Sequence, residues 1–188
     1  EARTGIPAAR IHVVPNGINL AGWAPASSPP QPPVLGFLAR MCPEKGLDRL
    51  VDAFLLLRER DRVPGLLLRV AGSCGPSDAR FVEGLKRKIS GAGLAGSVEF
   101  HPNLDHAAKQ EFLRSLSVFS VPAHYGEAFG LYLVEAMAAG LPLVQPRTGA
   151  FPEILEQSGA GLLCPADDVP GLAAGIAEVL ANPALARR

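Results

Sequence analysis

The sequence predicts an α/β fold: a doubly wound, Rossmann-like parallel sheet with helices on both faces. Three observations carry that expectation. Short β-branched or leucine-rich runs alternate with amphipathic segments along the chain, their connections are short, and glycine-proline turns mark the handovers. The 188 residues include 20 glycines and 18 prolines, a fifth of the chain against roughly 12% in average usage. With 48% hydrophobic residues the chain has ample material for a packed core.

In order, strands are expected over residues 11–14, 34–38, 66–71, 97–100, 118–121, 141–145 and 161–163. Between them, Leu47, Leu50, Val51, Phe54 and Leu57 recur at helical spacing, with Asp48, Arg49, Asp52 and Arg58 mostly off that stripe. A second helix starts near Ser77, carries Phe81, Val82, Leu85 and Ile89, and stops at Gly91-Ala92-Gly93. A third opens at Asp105 and carries Ala108, Phe112 and Leu116. The fourth spans about 130–139, ending at Gly140, and the last runs from Asp167-Asp168 to Leu180, ahead of Asn182-Pro183. Ser27-Ser28-Pro29-Pro30-Gln31-Pro32-Pro33 reads as an extended linker, which separates residues 1–31 from a main domain over 32–188. Right-handed crossovers then produce the double winding, and ligands are expected just after the strands.

Composition removes several function classes. Eighteen basic and 18 acidic residues balance, so nothing in the charge calls for nucleic acid or an anionic membrane. No apolar run approaches the roughly 18 residues of a membrane span. Cys42, Cys74 and Cys164 are odd in number and widely spaced, neither a disulfide framework nor a zinc site; a reducing, cytoplasmic setting is expected. His12, His101, His106 and His124 lack metal-ligand spacing, so no metal is expected.

Two segments after strands carry chemistry. In Gly36-Phe37-Leu38-Ala39-Arg40-Met41-Cys42-Pro43-Glu44-Lys45-Gly46 an arginine follows a strand and a lysine stands at the mouth of a helix. A helix start presents unpaired N–H groups, and an arginine fork with a lysine point charge would suit a diphosphate there. Two solvated charges beside a turn are the alternative. Neither G-x-G-x-x-G nor a Walker A sequence is present.

The second segment runs from His124-Tyr125-Gly126-Glu127 through Phe129-Gly130-Leu131 to Glu135 and Gly140. Glu135 sits on an otherwise apolar helix face, where an unpaired charge is costly. It either pairs with a buried arginine or a backbone amide, or, with Glu127, accepts hydrogen bonds from ligand hydroxyls such as those of a sugar or ribose. The amides of Phe129, Gly130 and Leu131 would face an anion at the helix start. A hydrolase pair is disfavoured, because its two carboxylates must flank one bond.

These residues resemble a known family. Glu127 and Glu135, with seven residues between them, resemble the E-x7-E signature of retaining glycosyltransferases of the GT-B fold, family 4, once called group 1. Arg40 to Gly46 resembles that family's donor-phosphate clamp, Val14-Pro15-Asn16-Gly17-Ile18 its inter-domain linker, and Thr148-Gly149-Ala150 through Glu153-Ile154 its glycine segment. The resemblance implies the C-terminal half of a GT-B fold. Residues 1–31 would be the inter-domain linker and leading strand, and 32–188 the nucleotide-sugar donor-binding domain.

By the same resemblance, Glu127, Arg40 and Lys45 are the expected catalytic residues. Arg40 and Lys45 would stabilise the diphosphate and Glu127 would contact the transferred sugar. Glu135 would bind ribose, with Phe129, Gly130, Leu131 and Gly36 completing the substrate site. No cofactor and no metal are implied. The expected partners are a nucleoside-diphosphate sugar and a missing N-terminal GT-B domain, which would also make any peripheral membrane contact. Nucleotide base, sugar and acceptor are not indicated, although Pro102, Asn103 and Leu104 lie where a base would be read. The chain starts just before the linker and stops soon after Leu180. The expectation is therefore half of a longer enzyme, which alone transfers nothing. A non-catalytic nucleotide-binding module is the rival reading, and a hydride-transferring Rossmann enzyme, lacking its glycine fingerprint, a distant third.

Overall fold

The structure, a computed structural model, describes residues 5–12, 14 and 16–182. Six parallel strands form one sheet: β1 (Val34–Leu38), β2 (Leu67–Gly72), β3 (Val98–Pro102), β4 (Val118–Phe119), β5 (Leu143–Pro146) and β6 (Gly161–Cys164). Their spatial order is β3-β2-β1-β4-β5-β6, the doubly wound Rossmann order. Helices α1 (Leu47–Glu59), α2 (Pro76–Gly91), α3 (His106–Arg114), α4 (Leu131–Ala138) and α5 (Phe151–Ser158) make the crossovers, and α6 (Val169–Ala181) follows β6 and packs against α1. The expected fold class is therefore the observed one.

Each element follows from local chemistry. β1 is buried along its whole length, as a central parallel strand covered on both faces must be. α1 buries Leu47, Leu50, Val51, Phe54 and Leu57, the stripe read from the sequence, together with Ala53. Asp105 caps α3 through the Ala108 amide at 2.8 Å, and Asp168 caps α6 through the Gly171 amide at 2.9 Å. No described helix is long and apolar enough to cross a membrane.

Three expectations change. Residues 11, 12 and 14 form no strand and Val13 lies outside the described residues; Ile11 is 46% and Val14 85% exposed, without the neighbouring strand that extended backbone needs. β4 is only two residues long, because Val121 turns its N–H to the Gln145 side chain at 3.1 Å. α5 was not anticipated, although Pro152 in its first turn, buried Phe151 and Leu155, and the left-handed Gly159 at its end all mark it. Pro183, expected just past the last helix, lies outside the described residues.

The stretch expected to be a linker is tied down at residues 21–23. The Gly22 carbonyl accepts from Arg114, the Ala21 carbonyl from Gln110, and Trp23 meets the His106 ring edge-on, 6.0 Å between centroids. Residues 21–23 thus lie along α3.

Candidate functional site

β1 and β4 are neighbours joined through a long excursion, so strand order reverses between them and their carboxyl ends open a crevice. Residues 39–46 form one wall and residues 120–130 the other. Gly46, at φ 72°, joins a 3₁₀ turn to α1, and an added Cβ would stand 1.8 Å from the Pro122 carbonyl oxygen. Only glycine allows the walls to close that far. The His124 amide ties them again at the Glu44 carbonyl, 3.0 Å away, and the His124 ring contacts Asp48 at 3.0 Å. Gly149 brings a third loop in: the Ala150 amide donates to the Glu127 carbonyl at 2.9 Å, and a Cβ on Gly149 would lie 2.4 Å from Glu127 backbone atoms.

Lys45 and Glu127 meet across the crevice as a salt bridge, with side chains only 19% and 14% exposed. Tyr132, in the first turn of α4, donates its hydroxyl to the same Glu127 oxygen, Oε2, at 2.9 Å. The Lys45 ammonium also lies 5.5 Å from the Tyr125 ring centroid and 5.6 Å from that of Tyr132. Burial pushes the Glu127 carboxyl up, but hydrogen bonds from Lys45 and Tyr132 outweigh it and hold the group below its ordinary value. Burial works against the Lys45 charge, while bonds to Glu127 and Tyr125 raise its proton affinity on balance. Burial, then the Glu127 charge, push the Tyr132 phenol far up.

The other expected residues are distributed around this pair. Arg40 follows β1 but is held by Asp78 at the start of α2, through Nε at 3.1 Å and Nη2 at 2.9 Å. Glu135 pairs with Lys109 of α3, whose ammonium lies 5.9 Å from the Trp23 ring. Phe129 and the left-handed Gly130 lead into α4, and Leu131, its first residue, is exposed. Gly36 lies inside β1, where an added Cβ would be 2.0 Å from Leu116 Cδ1. Asn103 links the β2 and β3 ends: its side chain accepts the Cys74 amide at 3.2 Å and its own amide donates to Gly72 at 2.9 Å.

Glu127 and Lys45 are thus brought together, whereas Arg40 and Glu135 each have a separate partner. Asp78, Lys109, Trp23 and Tyr132 were not singled out in the sequence. Asp78 had a readable signal, a carboxylate at the third position after a Gly75-Pro76 helix start; the others had none. Among the described residues no three His, Cys, Asp or Glu side chains gather as metal ligands.

A cavity of about 550 Å³ lies instead at the amino ends of the strands, between the proline-rich linker, Leu116, Leu141 and Leu180. Its one charged lining residue, Arg114, is engaged by Gly22 and Glu111. Volume and chemistry therefore separate here. A ligand site needs convergent polar groups, and those stand at the carboxyl ends.

Fold and crevice together define a Rossmann-like α/β domain with opposed charges at its topological switch point. The chain belongs to the group 1 glycosyl transferase family, whose sequence profile, described as Glycosyl transferases group 1, matches residues 24–188. Glycogen synthase of Mycobacterium tuberculosis (strain CDC 1551 / Oshkosh) is 35% identical over 182 residues, 96% of this chain and 42% of that protein. Sucrose-phosphate synthase from Thermosynechococcus elongatus superposes with a TM-score of 0.80 at 29% identity, over 94% of this chain and 45% of its own. HepE of Anabaena, solved in complex with UDP and glucose, gives a TM-score of 0.72 over 82% of this chain and 40% of its own; at 24% identity that likeness is one of fold. The GT-B assignment expected from the sequence agrees with these neighbours. The chain spans about 42% of the length of its glycogen synthase relative.

Proposed function

We propose that this chain is the donor-binding half of a retaining, metal-independent glycosyltransferase that takes a nucleoside-diphosphate sugar and needs an N-terminal GT-B domain for transfer. The observation that carries the reading is the Lys45–Glu127 pair at the switch point, a phosphate-binding cation beside a hydroxyl-accepting carboxylate. HepE, of the same fold, is solved with UDP and glucose, which supports a nucleotide-sugar ligand.

In this reading the donor exchanges partners with the pair. Its diphosphate takes the Lys45 ammonium, with Arg40 at the outer edge, and its sugar hydroxyls donate to Glu127. Positive charge placed before reaction stabilises the negative charge that grows on the departing nucleoside diphosphate, so protein cations do the work that a metal does elsewhere. Glu135 takes the ribose hydroxyls, and the Phe129, Gly130 and Leu131 amides hold the sugar-phosphate end. Without the other domain the acceptor is not oriented, so the isolated chain binds but does not transfer. The enzyme works in the cytoplasm.

A thermal-shift panel tests this, with UDP, GDP and ADP beside UDP-glucose, GDP-mannose and ADP-glucose. Binding to the folded state adds RT ln(1 + [L]/Kd), about 2.7 kcal/mol at a hundredfold excess over Kd. One base series is expected to raise the melting temperature, Lys45→Ala to abolish the rise, and Glu127→Gln to remove the extra rise due to the sugar. No shift with any of the six ligands overturns the reading.

A further inference from the structure

We propose that Tyr132 is a positioning residue for Glu127, holding the carboxylate in place when the donor draws Lys45 away; the proposal rests on the donor-site reading above. Lys45 and the Tyr132 hydroxyl converge on one oxygen, Glu127 Oε2, and the phenol donates at 2.9 Å. Once a diphosphate takes the ammonium, a carboxylate held only by that ion pair would lose its orientation. The phenol remains.

Tyr132 is built to stay. Its ring lies 6.3 Å from that of fully buried Phe119 on β4, tilted by 46°, and its backbone belongs to α4. Glu127 precedes it by five residues, across Gly130, which is left-handed at φ 83°. A Cβ on Gly130 would come within 3.3 Å of Glu127 Cγ and 3.4 Å of Tyr132 Cζ. The glycine therefore keeps clear the space through which hydroxyl and carboxylate meet. Burial and the Glu127 charge keep the phenol protonated, so it donates across the neutral range. Charged and titratable groups facing Glu127 are Lys45 from the first wall, with Tyr125 beside it, and Tyr132 from α4.

The role predicts a loss confined to the sugar end of the donor. A hydroxyl bonded to a charged acceptor contributes enough that Tyr132→Phe weakens sugar-dependent binding by roughly tenfold. The phenylalanine keeps the ring against Phe119, so the fold is retained.

The test measures the Kd ratio of nucleoside diphosphate to its sugar conjugate for the wild-type chain, Tyr132→Phe and Glu127→Gln, from pH 4 to 8. UDP with UDP-glucose, GDP with GDP-mannose and ADP with ADP-glucose are the probes. Tyr132→Phe should reduce the ratio about tenfold, leave diphosphate affinity within about twofold, and move the acid limb of sugar-dependent binding to higher pH. A loss in Glu127→Gln with none in Tyr132→Phe overturns the positioning role and leaves the donor site standing. No sugar increment in the wild type, or one that survives Glu127→Gln, overturns the donor-site reading and the ligand role of Tyr132 with it.

Discussion

Arg40 and Asp78 form a two-bonded pair that joins the carboxyl end of β1 to the start of α2, Nε to Oδ2 at 3.1 Å and Nη2 to Oδ1 at 2.9 Å. The arginine side chain is 55% exposed and the aspartate 6%, so a half-open guanidinium is anchored on a buried carboxylate. Asp78 also accepts the Gly75 amide at 3.1 Å, which makes it the carboxylate of the α2 N-terminus. Planar guanidinium suits this; lysine has donors but no planar fork to match the two carboxylate oxygens.

This pair predicts an acid-dependent contribution to stability. The Arg40 hydrogen bonds, then the Gly75 amide, hold the Asp78 carboxyl below its ordinary value. A depressed carboxyl stabilises the fold above its unfolded pKa, and that stability is lost as pH falls through the folded one. Asp78→Asn should lower the melting temperature by a few degrees at pH 7, with the gap to wild type closing below about pH 4. Thermal melts across pH 2–8 measure it; a gap constant with pH would contradict it.

Gly36 predicts a compensating double variant. An added methyl would stand 2.0 Å from Leu116 Cδ1, so Gly36→Ala should cost about 1–3 kcal/mol through overpacking. Leu116→Ala alone should cost about 2–5 kcal/mol through its cavity. The double variant should be more stable than their sum by at least about 1 kcal/mol, because the new methyl fills space that the leucine vacates. Urea unfolding of all four proteins measures the coupling.

Lys109 predicts a link between Trp23 and Glu135. Lys109→Met leaves the Glu135 carboxylate, 16% exposed, without its ion partner, a cost of about 1–3 kcal/mol. Trp23 is the chain's single tryptophan and meets the same ammonium, so its emission should change in the variant. On the ribose role proposed for Glu135, the preference for a ribonucleotide over its 2′-deoxy form should also fall. Fluorescence and paired titrations check both.

How much was legible varies by element, for physical reasons. The α1 stripe, the buried run of β1 and the helix starts at Asp105 and Asp168 obey local rules of periodicity and hydrogen bonding and appear where the sequence puts them. By contrast, α2 is capped at Gly75, and Ser77, the cap expected from the sequence, lies within its first turn. α5 carried its own signals in Pro152 and Gly159, but eight residues are too few for periodicity to stand out. Residues 11–14 look β-branched, yet a strand needs a neighbour, and no local pattern says whether one is present.

The sequence by itself determined the doubly wound class and the charged residues of the two loops proposed as the donor site. Tertiary structure alone decided the pairings. Lys45 is joined to Glu127 across 82 positions and Arg40 to Asp78 across 38, while Lys109 reaches Glu135 from another helix. Ion pairs form between whichever side chains the crossovers bring within reach, and that distance depends on strand order rather than spacing along the chain. Two cations that read as one phosphate clamp therefore hold two different carboxylates, and a tyrosine with no signal of its own joins the lysine on one glutamate oxygen.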